Sequence, residues 1–199
     1  MDYLFFDVEC AKCRKGGVGA LCEIGYVIVD EKFNVLQEKH FLINPLSLFD
    51  KYALKNILRY TKEEYESSPT LKDIYAQVRR EFTKKNRLVL GHTTALDVKY
   101  LASDVERNKL EKFSFEYYDV RDAFAVLEDE ENYTGVKSML EKLNLAVPES
   151  LHNSLTDAKE TMLICKELCK KHDKDIKQII KLKFCKKKVE KTKQEQQAE

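Results

Sequence analysis

Two acids end an apolar stretch near the start of the chain. Asp7 and Glu9 follow the strand-forming residues 4–6 and are two positions apart. Because side chains at i and i+2 of a strand point to the same face, the two carboxylates should stand side by side. Like charges in this arrangement repel each other unless a cation or a proton neutralises them. The pattern therefore indicates either a cation site or a strand that has reached the surface.

Two further acids lie near the beginning of predicted helices. Asp97 comes shortly after the apolar run 87–91, and Asp157 lies at the start of a long helical pattern. Each has a structural alternative, because Thr94 and Ser154 stand three residues before these acids and fit the capping box. In a capping box the acid closes the first helical turn and complements the helix dipole. Taken singly, each aspartate could be explained by capping.

A histidine accompanies the last of these acids. His152 precedes Asp157 by five residues and lies in a predicted loop. Four carboxylates at the ends of elements, together with one histidine, are what two divalent cations and a general base require. Ligand sets made of oxygen favour Mg²⁺ or Mn²⁺ over zinc. Considered jointly, these residues indicate a two-metal site.

The elements that must position these residues are a mixture of strands and helices. Alternating or compact apolar runs predict strands at 4–10, 21–29, 33–43, 87–91 and 113–119. Helical patterns cover residues 51–60, 71–84, 95–108, 121–128, 135–143 and 155–171, and residues 11–19 are predicted to be a loop. This order predicts an α/β fold in which an antiparallel section of three strands continues into parallel strands linked by helices.

The composition is typical of a soluble globular protein. Of the 199 residues, 43% are hydrophobic and 35% are charged, and the net charge is +1. No apolar run reaches membrane-spanning length, and the N-terminus lacks a signal-peptide pattern. We therefore expect a cytoplasmic protein.

The cysteines leave a weaker alternative open. Cys10 and Cys13 form a C-x-x-C pair, and Cys22 follows nine residues later, which is half of a zinc site. A second such pair and a close pair of histidines are both missing, so structural zinc is the weaker interpretation. Cys165 and Cys169 share a helix face with apolar residues, and we interpret them as small core residues.

Together the three acidic motifs resemble those of the DEDDh group of 3′–5′ exonucleases, which are DnaQ-like members of the ribonuclease H-like superfamily. An apolar strand ending in D-x-E matches residues 5–9. An aspartate shortly after a strand that ends in a small residue and a histidine matches residues 91–97. The third motif, H-x(4)-D-A, matches residues 152–158, and the resemblance covers about residues 1–170.

The resemblance implies a specific fold and mechanism. The fold would be a ribonuclease H-like mixed sheet of five strands, flanked by helices. The four acids would hold two Mg²⁺ or Mn²⁺ ions, and His152 would act as the general base. The expected reaction is hydrolysis of the 3′ ends of single-stranded DNA or RNA to nucleoside 5′-monophosphates.

The loop after the first motif departs from the family pattern. Relatives commonly have a small polar run such as Thr-Thr-Gly there, where this chain has Cys10-Ala11-Lys12-Cys13. In relatives this loop borders the 3′-terminal nucleotide. By that correspondence Cys10 and Ala11 are predicted to contact the substrate, and His92 of the second motif is predicted to contact it as well.

The C-terminal region differs from the rest in its charge. We predict an exonuclease domain at 1–172, followed by a basic helical extension and a disordered tail at 173–199. The lysines there predict either a solvated helix or a patch that attracts phosphate backbones. The alternative function is thus a non-catalytic nucleic-acid-binding module that uses this segment. A homodimer and a polymerase partner acting in trans are further alternatives that the sequence leaves open.

Overall fold

A mixed sheet of five strands forms the centre of the protein. The computed structural model describes residues 1–14, 18–148 and 153–184, and the side chains of residues 13, 14 and 18 are not among those described. The strand order is β3-β2-β1-β4-β5, in which β1–β3 pair antiparallel and β4 and β5 add in parallel. The strands are β1 (Asp2–Arg14), β2 (Val18–Val29), β3 (Val35–Leu42), β4 (Arg87–Gly91) and β5 (Tyr117–Asp119). The predicted fold class is confirmed.

Helices cover both faces of this sheet. They are α1 (Lys51–Asn56), α2 (Lys62–Glu66), α3 (Leu71–Phe82), α4 (Thr94–Arg107), α5 (Val120–Leu127), α6 (Val136–Lys142), α7 (Ser154–Lys171) and α8 (Ile176–Ile179). Most of them match a predicted helix to within a few residues, whereas α2 was not predicted as a separate element. No helix in the described ranges is both long and apolar enough to cross a membrane.

The central strand β1 contributes to a hydrophobic core on each side of the sheet. Tyr3 and Phe5 pack in one core with residues of α5–α8, whereas Leu4, Phe6 and Val8 pack in the other with residues of α3 and α4. The alternation follows from the two-residue period of a strand. The β1–β2 register is regular from Tyr3 as far as the ninth residue. Both acids of the first motif therefore lie on the side of the sheet that α7 covers.

The first two strands are longer than predicted. Residues 11–19 were predicted as a loop, but β1 continues to Arg14 and β2 begins at Val18. Two register shifts interrupt the ladder after Glu9, and pairing then resumes. Ala11 and Ala20 are buried there in a third cluster beneath α1 and α2. The loop prediction was wrong because it was based on the lysines and glycines of this segment. It did not take into account that small side chains such as Ala11 and Ala20 can be buried beneath helices.

The last strand is shorter than predicted. Only Tyr117–Asp119 pairs with β4, although 113–119 was predicted as a strand. Phe113 and Phe115 stack on each other with ring centroids 5.8 Å apart and pack against the core of α3 and α4. Their apolar pattern reflects this packing and not a sheet ladder.

The start of the predicted C-terminal extension belongs to the core. Ile176 and Ile179 of α8 are buried in the same cluster as Phe5. Residues 185–199, which carry the lysine run 186–188, lie outside the described residues. The domain boundary and the disordered tail stay predictions.

Replacing Gly25 by alanine should destabilise the protein strongly. A Cβ atom at Gly25 would lie 2.1 Å from the Leu155 nitrogen and 2.2 Å from the Ser154 carbonyl carbon. Both are backbone atoms of α7, so the helix would have to move. We expect the free energy of unfolding, measured in urea, to fall by about 3 kcal/mol, which is the upper end of the usual range for overpacked cores. Gly135→Ala is the control, because nothing lies within 4 Å of its Cβ position, and equal effects of the two substitutions would contradict the prediction.

Candidate active site

Three carboxylates converge where α7 begins beside β1. One ligand oxygen from each of Asp7, Glu9 and Asp157 lies within 4.8 Å of the other two. Glu9 is buried, and the other two are partly buried. β1 supplies two of the groups by its alternation, and the first turn of α7 supplies the third. Such a cluster of oxygen ligands can hold a hard divalent cation.

The fourth predicted acid belongs to α4, a helix that packs on the other side of the sheet. Asp97 lies in the first turn of α4, directly after β4, whose residue Leu90 pairs with Phe5 of β1. Asp97 is only 7% exposed, and its Oδ2 atom is buried without a hydrogen-bond partner among the described residues. An unpaired buried carboxylate oxygen is unfavourable and typical of a site that takes a ligand.

Neither aspartate closes a capping box. The N-cap of α4 is Thr93 in the left-handed conformation (φ 61°), and the N-cap of α7 is Asn153, whose side chain accepts from the Thr156 amide. Asp97 and Asp157 are therefore the fourth residues of their helices, one position beyond the acid of a capping box. The capping explanation is wrong for both.

The electrostatics of the cluster favour protons or cations. Burial, followed by the charges of Asp97 and Glu9, raises the pKa of Asp7 well above its usual range. Burial, followed by the charges of Asp119 and Glu9, does the same for the pKa of Asp97. Asp97 thus raises the pKa of Asp7, and Glu9 raises the pKa of both aspartates, so the three acids belong to a single charged site.

Glu9 is much harder to ionise than an ordinary glutamate. Burial, followed by the charges of Glu23 and Asp157, raises the pKa of Glu9 to about 8, and Arg59 opposes this shift. Without a cation the site therefore retains protons at neutral pH. A divalent ion that binds there must displace them.

Two acids beside this site were not singled out from the sequence. Glu23 on β2 is directly opposite Glu9 in the ladder and is fully buried. Glu160 lies on α7, and burial followed by the charge of Asp157 raises the pKa of Glu160 to about 7. One signal was available for Glu23, because an acid inside the apolar run 21–29 would be expected to have a buried partner.

The predicted substrate contacts are mostly engaged within the protein. His92 lies 3.0 Å (Nε2) from the Thr134 carbonyl oxygen and 3.2 Å (Nδ1) from the Thr93 hydroxyl. Burial lowers the pKa of His92. Cys10 is 2% exposed and Ala11 is fully buried. Their assignment as substrate contacts stays a prediction that this burial does not favour.

His152 lies outside the described residues, as does the rest of 149–152. Asn153, the next residue in the chain, is the N-cap of α7. The zinc interpretation is also untested. Cys10 and Cys22 are buried, and the side chain of Cys13 is not among those described.

The fold and the acidic cluster define a class of protein, the ribonuclease H-like nucleases. A family model described as RNase_T, exonuclease, matches residues 4–165. The chain belongs to this exonuclease family. No curated protein sequence gives a significant match.

Solved structures agree with the family at the level of the fold. The nuclease domain of 3′hExo, a DEDDh family member bound to rAMP, superposes with a TM-score of 0.71 at 17% identity, covering 85% of this chain and 92% of that one. Exonuclease X in complex with 5′ overhanging duplex DNA has a TM-score of 0.67 at 17% identity, with 89% and 97% covered. E. coli exonuclease I in complex with a 5cy-dT13 oligonucleotide has a TM-score of 0.70 at 15% identity, with 86% and 41% covered. This chain thus spans about two fifths of exonuclease I, and the predicted DEDDh-type fold is confirmed.

Proposed function

We propose that this protein is a metal-dependent 3′–5′ exonuclease that releases nucleoside 5′-monophosphates from single-stranded DNA or RNA. The observation that carries the proposal is the convergence of Asp7, Glu9 and Asp157 on one point, with Asp97 of α4 near enough for its charge to raise the pKa of Asp7. Like charges gathered in a partly buried site are unfavourable without a counter-charge. Family membership supplies the reaction class.

The residues fit two divalent cations. Asp7, Glu9 and Asp157 would hold one ion, and Asp97, whose buried Oδ2 atom has no hydrogen-bond partner among the described residues, would contribute to holding the second. All the ligands are carboxylates, which suit Mg²⁺ or Mn²⁺. When bound, such ions activate a water molecule and offset the negative charge that develops on the scissile phosphate.

His152 is proposed as the general base. An imidazole with an ordinary pKa of about 6.5 can accept the proton of the attacking water at neutral pH. His152 immediately precedes Asn153, the N-cap of α7, and the same helix carries Asp157. The base and one metal ligand would therefore be delivered by a single helix start.

The assay that tests the proposal follows the products. Wild type is incubated with 5′-labelled and 3′-labelled single-stranded DNA and RNA, duplexes and dinucleotides, with and without Mg²⁺ or Mn²⁺. Release of nucleoside 5′-monophosphates from the 3′ end is expected, and the panel identifies the preferred substrate. Salt-sensitive binding without turnover would contradict the proposal and favour a non-catalytic nucleic-acid-binding module. Titration of polymerase candidates and measurement of the oligomeric state address the proposals of a partner in trans and of a homodimer.

Replacing His152 by glutamine should lower kcat by about 10²- to 10⁴-fold, the usual contribution of general acid–base catalysis. Metal binding should be unchanged, because His152 is not proposed as a ligand. The measurement is kcat on the preferred substrate together with Mn²⁺ affinity. The matched control is His172→Gln, since His172 contacts Glu128 at the far end of α7 (Nε2 to Oε1, 2.9 Å). If His152→Gln retains wild-type kcat, another group is the base.

A further inference from the structure

Glu23 is a charged side chain at the centre of the protein that the proposed reaction does not use. Its carboxylate is fully buried and is contacted from three different elements. Tyr65 of α2 donates its hydroxyl to one oxygen, and His40 Nε2 of β3 lies 2.9 Å from the other. Because a buried ion pair is often no more stabilising than apolar packing, such a cluster calls for a specific role.

The third contact of Glu23 is the start of α7. The backbone nitrogen and hydroxyl of Ser154 lie 3.5 Å and 3.4 Å from the Glu23 Oε2 atom. These are long hydrogen bonds. They nevertheless place an acidic side chain at the positive end of a helix of 18 residues, where a negative charge is favourable.

The preceding residue is held from the same cluster. Asn153 Nδ2 donates to the Tyr60 hydroxyl at 3.4 Å, and the Tyr60 ring lies 5.8 Å from the His40 ring. Both residues at the start of α7 are therefore tied to the group of Glu23, His40, Tyr60 and Tyr65.

The position of Glu23 links this cluster to the acids. Glu23 is the cross-strand partner of Glu9, and Gly25, two residues further on, is the partner of Asp7. The backbone of α7 passes so close to Gly25 that no side chain fits between them. Asp157 is one turn into this helix, so any movement of the helix start changes its distance from Asp7 and Glu9.

We propose that Glu23 is a positioning residue that, together with His40 and Tyr65, holds the start of α7 so that Asp157 reaches the metal site of β1. The inference rests on the proposed function and names a residue that acts through the ligands without touching the metal.

The test is the dissociation constant of Mn²⁺ in the full chain, measured by calorimetry and by electron paramagnetic resonance. Glu23→Gln keeps the shape of the side chain but turns an NH₂ group toward the hydrogen-bond donors around it. We therefore expect Mn²⁺ to bind about 10- to 100-fold more weakly, as is usual when a group that orients metal ligands is replaced. A purely structural loss would lower the number of binding-competent molecules and leave their dissociation constant unchanged. The matched control is Glu81→Gln. Glu81 is 7% exposed and pairs with Arg87, so this substitution should reduce stability without changing the Mn²⁺ dissociation constant.

A double-mutant cycle separates positioning from the mere loss of a charge. Ser154→Ala removes one link between Glu23 and α7 and should weaken Mn²⁺ binding severalfold in wild type but not in Glu23→Gln. Fully additive losses, or a wild-type dissociation constant in Glu23→Gln, would overturn the proposal. If Glu23→Gln does not fold, an unchanged constant in Ser154→Ala overturns it. If wild type binds Mn²⁺ but has no nuclease activity, the proposed function alone is refuted. If wild type is active and Glu23→Gln binds Mn²⁺ with the wild-type dissociation constant, the positioning role alone is refuted.

Discussion

Asp7→Asn should abolish nuclease activity and at the same time stabilise the metal-free protein. Asp7 belongs to the three-acid cluster and is the group whose pKa the neighbouring acids raise, Asp97 foremost after burial itself. Bound metal contributes several kcal/mol to transition-state stabilisation, and each 1.36 kcal/mol is tenfold in rate, so we expect a loss of at least about 10³-fold. Asparagine needs neither a charge nor a proton at this position, so the substitution should relieve the repulsion that the buried acid meets in the absence of metal.

Two measurements check this pair of effects. Activity on the preferred substrate gives the first, and thermal unfolding in EDTA gives the second. Each kcal/mol of relieved repulsion should raise Tm by about 2–4 °C in a protein of this size. Mn²⁺ should stabilise wild type but not Asp7→Asn. Asp173→Asn is the control, because Asp173 is exposed and its left-handed backbone (φ 49°) tolerates asparagine. An active Asp7→Asn, or one that Mn²⁺ stabilises as it does wild type, would exclude Asp7 as a ligand.

Metal binding should strengthen steeply as the pH rises toward 8. The pKa of Glu9 is about 8 in the folded protein against an ordinary value of 4.5. Below pH 8 each cation must displace protons, so the apparent affinity should rise up to about tenfold per pH unit for each proton released. Calorimetric titration with Mn²⁺ at pH 6, 7 and 8, in buffers of different ionisation enthalpy, measures both the affinity and the protons released. A pH-independent affinity over this range would contradict the prediction.

Without metal the same groups should make stability fall as the pH rises. The folded protein keeps the Glu9 proton up to about pH 8, whereas the unfolded chain loses it above 4.5. The stabilisation that the retained Glu9 proton gives the folded protein is therefore complete below pH 4.5 and is lost between pH 4.5 and about 8. Over this interval the free energy of unfolding should fall by up to about 1.4 kcal/mol per pH unit for one proton. Glu9→Gln should flatten this dependence in EDTA. Thermal unfolding at several pH values, with and without Mn²⁺, gives the comparison.

Much of the site could be predicted because its elements are local patterns. The i, i+2 spacing of Asp7 and Glu9 and the apolar run before them depend only on the period of a strand, and the structure places both on the α7 side of the sheet. The placement of Asp97 and Asp157 at helix starts was predictable for the same reason. The alternative explanation by a capping box fails by one residue for both, because the backbone of Thr93 and Asn153 sets where each helix begins.

The sequence by itself determined the identity and order of the acids, the mixed α/β sheet and the resemblance to DEDDh exonucleases. Only the tertiary structure decided that Glu23 faces Glu9, that α7 rests on Gly25, and that Glu23 contacts the first residue of that helix. These facts depend on strand register and on the approach of segments more than a hundred residues apart. A local pattern carries no information about them, because cross-strand pairing and helix docking are settled by how the whole core packs.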